Sequence, residues 1–176
     1  RLFLSDTLSS GQSTQLDDAQ ARYLTRVMRL SEGATVRVFN GRDGEWRCKL
    51  SVSGKRADLT ATEQIRAQTA GPDLILMFAP LKKARTDFVV EKACEVGVSQ
   101  ILPVITAYTQ SERLRTDRLK SIAIEASEQT ERMDVPTVLE ARPLAAAIGE
   151  LAADRLTFFC DEGGEAQPMA AAITAH

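Results

Sequence analysis

The sequence predicts an α/β protein that begins with a small β-barrel. Short stretches of alternating apolar and polar residues, separated by glycine turns, fill the first 66 residues, a pattern typical of a small barrel. From residue 74 onward, continuous apolar runs alternate with amphipathic helices, which indicates βαβ units and a parallel sheet covered on both faces. The polar stretch Gln68 to Asp73 lies between the two patterns and is predicted to be a linker.

The barrel strands are predicted from apolar side chains at every second position. These are Val36 and Val38 in one strand and Trp46, Cys48, Leu50 and Val52 in the next, with a further short strand near Ala57–Thr62. Asn40-Gly41, Asp43-Gly44 and Ser53-Gly54-Lys55 supply the turns. Because Trp46 is in phase with Cys48 and Leu50, we expect it in the barrel core rather than exposed as a platform for stacking a base.

One helix interrupts the barrel strands, from about Asp17 to Leu30, with Asp17 or Asp18 near its start. Its core-facing residues are predicted to be Leu24, Val27 and Met28.

Arg22, Arg26 and Arg29 in this helix are spaced i, i+4 and i+7, so they are predicted to share one stripe. Two interpretations stay open at this point. The stripe is either a solvated helix face or a row of guanidinium groups that contact RNA phosphates.

The second part of the chain is predicted to contain four strands and four helices. The strands are 74–79, 100–105, 137–139 and 156–160, and the helices are 87–96, 116–129, 144–151 and one that starts within 167–175. Gly97 is expected to stop the first of these helices. Leu119, Ile122, Ala123 and Ala126 are expected to form the buried face of the second.

The charge is distributed unevenly along the chain. Residues 1–70 carry 11 Lys+Arg against 8 Asp+Glu, a net charge of +3, whereas residues 71–176 carry 11 against 16, a net charge of −5. A basic N-terminal part and an acidic C-terminal part suit an RNA-docking module attached to a different kind of domain. No apolar run approaches the roughly 18 residues of a membrane span, so we expect a cytoplasmic protein.

The cysteines and the histidine restrict the chemistry. Cys48, Cys94 and Cys160 are far apart and form no CxxC pair, so we expect reduced, buried thiols rather than a zinc site or a disulfide framework, and no metal. His176 is the only histidine and the last residue, which argues against a Ser-His or Cys-His catalytic pair.

Several ordered motifs resemble the RsmE family of ribosomal RNA methyltransferases. In chain order they are Arg1-Leu2-Phe3, Tyr23-Leu24-Thr25-Arg26-Val27-Met28-Arg29, Phe39-Asn40-Gly41-Arg42-Asp43-Gly44-Glu45-Trp46, Pro80-Leu81-Lys82-Lys83, Lys92-Ala93-Cys94-Glu95-Val96-Gly97-Val98, and Glu125-Ala126-Ser127-Glu128-Gln129-Thr130-Glu131-Arg132 followed by Val135-Pro136. The set spans nearly the whole chain, and the last motif is the most specific.

The resemblance implies a PUA-like RNA-binding barrel over residues 1–69 and a SPOUT-type α/β domain over residues 73–176. Such proteins methylate N3 of a uridine in 16S ribosomal RNA, using S-adenosyl-L-methionine bound in a trefoil knot, and act as homodimers. The substrate is the RNA or the small ribosomal subunit, with no membrane involved.

Two departures from the family pattern bear on what this chain can do. Tyr23 stands where the family often has His, and the chain stops at His176 before the family's Gly-Pro-Glu-Gly-Gly loop and its Leu-Gly-x-Arg-x-Leu-Arg-x-Glu-Thr-Ala segment. We therefore expect the larger, N-terminal part of such an enzyme, inactive by itself and with the knot incomplete. Asp161-Glu162-Gly163-Gly164 resembles the missing glycine loop, but its position soon after the predicted strand over 156–160 favours an earlier loop, and the glycine loop itself is the alternative. In the favoured interpretation Cys160, Asp161 and Glu162 form only an edge of the cofactor pocket.

Methyl transfer to uracil N3 is an in-line displacement, which requires alignment of the reacting atoms and removal of the N3 proton. The residues assigned to this step are Glu95, Gln129 and Arg132, because a carboxylate can accept the proton and Gln or Arg can bind O2 and O4. Arg132 is spaced to share one helical face with Glu125, Glu128 and Gln129. The alternatives are ion pairs of Glu128 with Arg132 and of Glu95 with Lys92.

The RNA-binding set has two groups. Arg1, Arg22, Arg26 and Arg29 belong to the barrel, and Lys82, Lys83 and Arg85 follow the first strand of the second domain. Ligands gather at the carboxyl ends of parallel strands, so the second group is placed to bind phosphate; solvated loop residues are the alternative. For the whole chain, the alternative to the methyltransferase is a non-catalytic RNA- or ribosome-binding protein that has lost its methyl-donor pocket.

Overall fold

The computed structural model describes residues 1–109, 114–161, 163 and 166–174. Its contacts divide the chain into two units, Arg1–Pro143 and Leu144–His176. Within the described residues, no helix has the length and apolar character needed to cross a bilayer.

The first 66 residues form a curled five-stranded sheet. Its strands are β1 (Leu2–Phe3), β2 (Ser13–Gln15), β3 (Thr35–Phe39), β4 (Glu45–Ser53) and β5 (Arg56–Arg66), in the spatial order β1-β3-β4-β5-β2. β1 runs parallel to β3, and the other pairs are antiparallel. The predicted alternation is confirmed: Val38, Cys48 and Leu50 are buried, and Trp46 and Val52 pack against the same core.

The turn before β4 depends on one glycine. Gly44 has φ +79°, and a Cβ at this position would lie 2.2 Å from the carbonyl oxygen of Arg66. Only a residue without a Cβ allows β4 and the end of β5 to approach this closely. The predicted turn therefore also sets where β4 and β5 begin to separate.

The predicted helix over residues 17–30 is shorter and less regular than expected. Asp17 caps α1 (Asp18–Arg22), and a π-helical segment, Tyr23–Val27, follows, in which the N–H of Met28 donates to the carbonyl of Tyr23. A π turn holds more residues than an α turn and shifts the facing of those beyond it. Leu24 is buried as predicted, but the predictions for Val27 and Met28 are wrong, because these side chains are 66% and 49% exposed.

The second sheet is parallel, as predicted. Its elements are β6 (Ile75–Phe78), α2 (Lys83–Glu95), β7 (Gln100–Ile105), α3 (Thr116–Gln129), β8 (Thr137–Val138) and β9 (Arg142–Pro143). β7 is the central strand, with β6 on one side and β8 and β9 on the other. Val90, Ile101 and Ala123 are fully buried between the sheet and the two helices. Gly97, with φ +95°, ends α2 at the predicted place.

The described residues of the second unit form two short helices, α4 (Leu144–Gly149) and α5 (Met169–Thr174). The predicted strand over 156–160 does not form. Leu156 and Phe159 are 54% and 79% exposed, and the segment belongs to neither sheet of the described residues. An apolar run becomes a buried strand only when other elements cover it, and the described residues do not cover this one.

Candidate functional site

A basic cleft of about 390 Å³ lies on the barrel between the α1 region and the β4–β5 turn. Its lining residues are Asp18, Arg22, Thr25, Arg26, Val52, Gly54, Lys55 and Arg56. Four exposed cations face one carboxylate there, so the cleft attracts anions such as RNA phosphates.

The predicted arginine stripe is only partly correct. Arg22 and Arg26 line the cleft together, whereas Arg29 does not line it and has φ +54° in the turn beyond the π segment. Lys55 and Arg56 were missed by the sequence analysis. Lys55 is the second residue of the Gly54-Lys55 turn and Arg56 begins β5, and neither position indicates a contact with a helix that is distant in the sequence.

A second cleft, of about 660 Å³, lies between the barrel and α3. The barrel side includes Phe3, Ala19, Gln20 and Tyr23, and the α3 side includes Ser121, Ile124, Glu125, Glu128 and Gln129. We call it the α3 cleft. It brings Gln129, one of the residues assigned to catalysis, to face the barrel.

Glu128 joins the two sides of the α3 cleft. Its Oε1 accepts a hydrogen bond from the backbone N–H of Phe3 at 2.8 Å. Burial raises the pKa of the Glu128 carboxyl, and the hydrogen bond from Phe3 offsets only part of this effect. The predicted ion pair of Glu128 with Arg132 does not form among the described contacts, since Arg132 pairs with Asp134 instead.

The raised pKa of Glu128 predicts a pH-dependent stability difference in Glu128→Gln. The folded state binds the proton of Glu128 more tightly than the unfolded chain does. As the pH rises above 4.5, the ordinary pKa of a glutamate, ionisation of Glu128 therefore lowers the free energy of unfolding. Glutamine keeps an acceptor for the Phe3 N–H but cannot ionise. We expect the variant to gain stability over the wild type at pH 7, and the gain to vanish below pH 4.5, in urea titrations at both pH values.

Glu131→Gln is the control with the opposite sign. Its hydrogen bond from Arg37 lowers the pKa of Glu131, so this ion pair stabilises the fold above the ordinary pKa and is lost as pH falls through the lowered value. The control should lose stability at pH 7 and approach the wild type in strong acid. Equal behaviour of the two variants would contradict the prediction for Glu128.

Arg1 is buried between the barrel and the end of α3. Its side chain is 4% exposed, and its Nε donates to Glu45 Oε1 at 2.7 Å. Its Nη1 and Nη2 donate to the carbonyls of Ser127 at 2.8 Å and Arg132 at 2.5 Å, and its Cζ lies 3.8 Å from the centre of the Phe39 ring. These contacts make Arg1 a link between the two parts, and its burial argues against the predicted contact with RNA.

Glu45 is the anion at the centre of this link. It is fully buried and pairs with Arg1, with Arg66 at 3.1 Å and with Arg37 at 3.8 Å. Arg37 also donates to Glu131 Oε1 at 2.6 Å, and Arg66 donates to the carbonyl of Glu131 at 3.2 Å. The barrel thus holds the turn after α3 through charged groups, a contact that no spacing in the sequence indicates.

Arg132 lies outside the helix on which it was predicted. α3 ends at Gln129 and Glu131 has φ +58°, so Arg132 leaves the face shared by Glu125, Glu128 and Gln129. Its Nη1 donates to the carbonyls of Cys94 at 2.6 Å and Val98 at 3.0 Å, and its Nη2 lies 2.9 Å from Asp134 Oδ2. The guanidinium therefore joins the end of α2 to the turn after α3. A catalytic role for it stays a prediction.

Glu95, the third residue assigned to catalysis, lies at the end of α2. Lys92 Nζ donates to both of its carboxylate oxygens, at 2.8 and 2.9 Å, so the alternative ion pair is present. Glu95 is adjacent in sequence to Cys94, whose carbonyl binds Arg132. The structure thus brings Glu95 and Arg132 to one region but places Gln129 in the α3 cleft.

The basic residues after β6 lie at the carboxyl edge of the second sheet. Lys82 precedes α2, and Lys82, Lys83 and Arg85 are all exposed. A cleft of about 210 Å³ at this edge is lined by Leu81, Lys83, Thr86, Asp87, Leu114, Arg115, Arg118 and Leu119. Arg118 Nη2 donates to Asp87 Oδ2 at 2.6 Å and joins the N-terminal parts of α2 and α3. RNA contact by Lys82, Lys83 and Arg85 stays a prediction.

The cysteines agree with prediction in two of three cases. Cys48 and Cys94 are buried, and burial raises the pKa of the Cys48 thiol to about 11, whereas Cys160 is exposed. Asp161 is also exposed, and its Oδ1 accepts the N–H of Gly163 at 3.0 Å. Glu162, the third residue assigned to the cofactor pocket, lies outside the described residues. Exposed Cys160 and Asp161 by themselves do not enclose an adenosine group.

A curled sheet that carries a basic cleft, followed along the chain by a parallel α/β sheet, is the arrangement expected of an RNA-binding protein. The family model described as RNA methyltransferase PUA domain matches residues 16–60, and that described as RNA methyltransferase domain matches residues 69–175. The chain therefore belongs to the RNA methyltransferase domain family, and the predicted resemblance to the RsmE family is confirmed.

Curated relatives and a solved structure agree with this assignment. Ribosomal RNA small subunit methyltransferase E of Rickettsia conorii is 29% identical over 80% of this chain and 59% of its own length. The protein of the same name from Synechocystis sp. is 30% identical over 70% of this chain and 41% of its own. The Neisseria gonorrhoeae protein of that name, solved bound to S-adenosyl methionine, superposes with TM-score 0.78 and 28% identity over 86% of this chain and 65% of that one.

Proposed function

We propose that the protein methylates N3 of a uridine in 16S ribosomal RNA, with S-adenosyl-L-methionine as the methyl donor. The family match, the names of the relatives and the donor bound in the Neisseria protein support this function. The chain spans about three fifths of the Rickettsia relative, so the proposal concerns the protein as a whole. The observation on this chain that carries it is the basic cleft of Arg22, Arg26, Lys55 and Arg56 on the barrel, which suits an RNA backbone.

The bound donor supplies an electrophilic methyl group. On the acceptor side, we assign removal of the N3 proton to Glu95 and binding of a uracil carbonyl oxygen to Arg132, which lies in the same region. Gln129 lines the α3 cleft, so we assign it to a contact with RNA there. Lys92 orients the Glu95 carboxylate through two hydrogen bonds. Cys160 and Asp161 contribute no more than an edge of the donor pocket, because both are exposed.

The proposal includes the organisation of the working protein. An RNA-docking domain over residues 1–69 and a methyltransferase domain over 73–176 suit the two family matches, which meet between residues 60 and 69. We further propose a homodimer with a knotted donor site that acts in the cytoplasm, where ribosomal RNA is assembled into subunits.

A methyl-transfer assay tests the function. Protein translated from the complete reading frame, with labelled S-adenosyl-L-methionine, should label 16S RNA at uridine N3 in deproteinised RNA or in small subunits. Labelling at another atom would contradict the assigned reaction. RNA binding without labelling of either substrate would favour a binding protein that lacks methyl transfer.

Charge reversal tests the RNA-docking cleft. Arg26→Glu combined with Lys55→Glu places two carboxylates in the cleft, so binding of 16S RNA fragments should weaken at least tenfold and the slope of log affinity against log salt should become shallower. Filter binding at several salt concentrations measures both quantities.

Arg29→Glu is the matched control, because it makes the same change in an exposed arginine that does not line the cleft. We expect Arg29→Glu to reduce RNA affinity much less than Arg26→Glu alone or Lys55→Glu alone. An equal loss would mean that a broad positive potential, rather than this cleft, binds the RNA.

A further inference from the structure

The α3 cleft differs in chemistry from the basic cleft, although both use the same short helical segment. Ala19, Gln20 and Tyr23 line the α3 cleft, while Asp18, Arg22 and Arg26 line the basic cleft. A helix is about 10 Å across with its side chains, so the two clefts lie on opposite sides of a narrow ridge. One RNA strand crossing this ridge can reach both.

The charges of the α3 cleft disfavour a phosphate. Glu125 and Glu128 supply two carboxyl groups, and among the described residues that line the cleft the guanidinium group belongs to Arg1, which is 4% exposed and already paired with Glu45. A phosphate there would meet the carboxyl groups of Glu125 and Glu128, and the Arg1 guanidinium is already engaged by Glu45. The cleft therefore selects for a neutral group.

The remaining groups suit a flat ring with polar edges. Tyr23 is 40% exposed and supplies an aromatic ring from the barrel side. Glu125 and Gln129 are four residues apart on α3, so they are neighbours on one helical face and both line the cleft. Their carboxylate and amide oxygens accept N–H groups, and the amide N–H of Gln129 donates to a carbonyl oxygen.

We propose that the α3 cleft holds an unpaired RNA base that carries a ring N–H, guanine or uracil, stacked on Tyr23 and bound at its edge by Glu125 and Gln129. The ring N–H of these two bases can donate to the Glu125 carboxylate, and the carbonyl oxygen next to it can accept from the amide N–H of Gln129. Adenine and cytosine present a ring acceptor at the same place, which a carboxylate repels. The site would hold a base while the basic cleft holds the backbone beside it.

This inference rests on the proposed function in one respect, that the protein handles RNA. It does not depend on methyl transfer. If the protein transfers methyl groups but binds RNA equally well with or without the base, only the α3 cleft proposal is wrong. If its RNA binding depends on the base but no methyl group is transferred, only the proposed reaction is wrong.

The test measures binding of the full-length protein to eight-nucleotide RNAs by fluorescence anisotropy. Seven positions are adenosine, and one internal position is uridine, guanosine, adenosine or an abasic site. Stacking of one base contributes about 1–3 kcal/mol, so uridine and guanosine should bind roughly tenfold more tightly than the abasic RNA. Equal affinity for all four RNAs would overturn the proposal.

Variants assign the effect to the cleft. Tyr23→Ala should remove the tenfold preference and leave binding of the abasic RNA and the salt dependence unchanged, which also shows that the variant folds. Tyr23→Phe keeps the ring and should keep most of the preference. Gln129→Ala should reduce the advantage of uridine and guanosine over adenosine.

The basic-cleft variant Arg26→Glu with Lys55→Glu is the contrasting case. It should weaken binding of every RNA by a similar factor and reduce the salt slope. If Tyr23→Ala behaves in the same way, the α3 cleft does not read a base.

Discussion

Replacement of Glu45 by alanine should destabilise the protein by about 3–5 kcal/mol, the cost of removing one partner of a buried ion pair. Glu45 is fully buried, and its loss leaves the guanidinium of Arg1, 4% exposed, without its anion. Domains of this kind unfold with a total of about 5–15 kcal/mol, so the variant should be close to unfolding at 37 °C. Urea denaturation followed by circular dichroism measures the change.

Glu63→Ala is the matched control for Glu45→Ala. Glu63 also pairs with an arginine across the barrel, Arg47, but both side chains are about half exposed. Surface ion pairs contribute about 0–1 kcal/mol, so the control should change stability little. If Glu45→Ala and Glu63→Ala lower the free energy of unfolding by similar amounts, burial is not the reason that the Glu45 ion pair stabilises the protein.

Ile101→Ala should cost about 2–5 kcal/mol, the range for removing a large aliphatic side chain from a packed core. Ile101 is fully buried in β7, the central strand of the second sheet, where it aligns with Leu76 and Val138 of the flanking strands. The cavity would lie between the sheet and helices α2 and α3. The free energy of unfolding in urea is again the measurement.

Ile105→Ala makes the same substitution four residues along the same strand. Ile105 is 38% exposed, so it loses less buried surface and leaves a site that water can fill. We expect a loss of about 1 kcal/mol or less. A loss as large as that of Ile101→Ala would mean that strand propensity rather than core packing governs both.

The regular elements of the second part were predictable because their signals are local. The bounds predicted for β7 and α3 match the structure, and so does the helix stop at Gly97. Continuous apolar runs, helical periodicity and a glycine at a helix end each depend on neighbours in the sequence. The barrel strands were predictable for the same reason, since alternation along one strand reports which side faces the core.

The predictions that were wrong concern residues at which the backbone departs from regular helical geometry. A π-helical segment over Tyr23–Val27 moved Val27 and Met28 to the surface and separated Arg29 from Arg22 and Arg26. The end of α3 at Gln129 removed Arg132 from the predicted face. Spacing arguments assume one period throughout a segment, and a single changed turn alters the facing of every later residue.

The sequence by itself determined the α/β class, the barrel strands, the central strand of the second sheet and the family resemblance that the comparisons confirmed. Only the tertiary structure showed that Lys55 and Arg56 join Arg22 and Arg26, that Glu45 collects three arginines, and that Tyr23 faces Glu125 and Gln129 across a cleft. Secondary structure follows from side-chain periodicity between near neighbours, whereas a site is formed by residues far apart in the chain whose proximity depends on how whole elements pack.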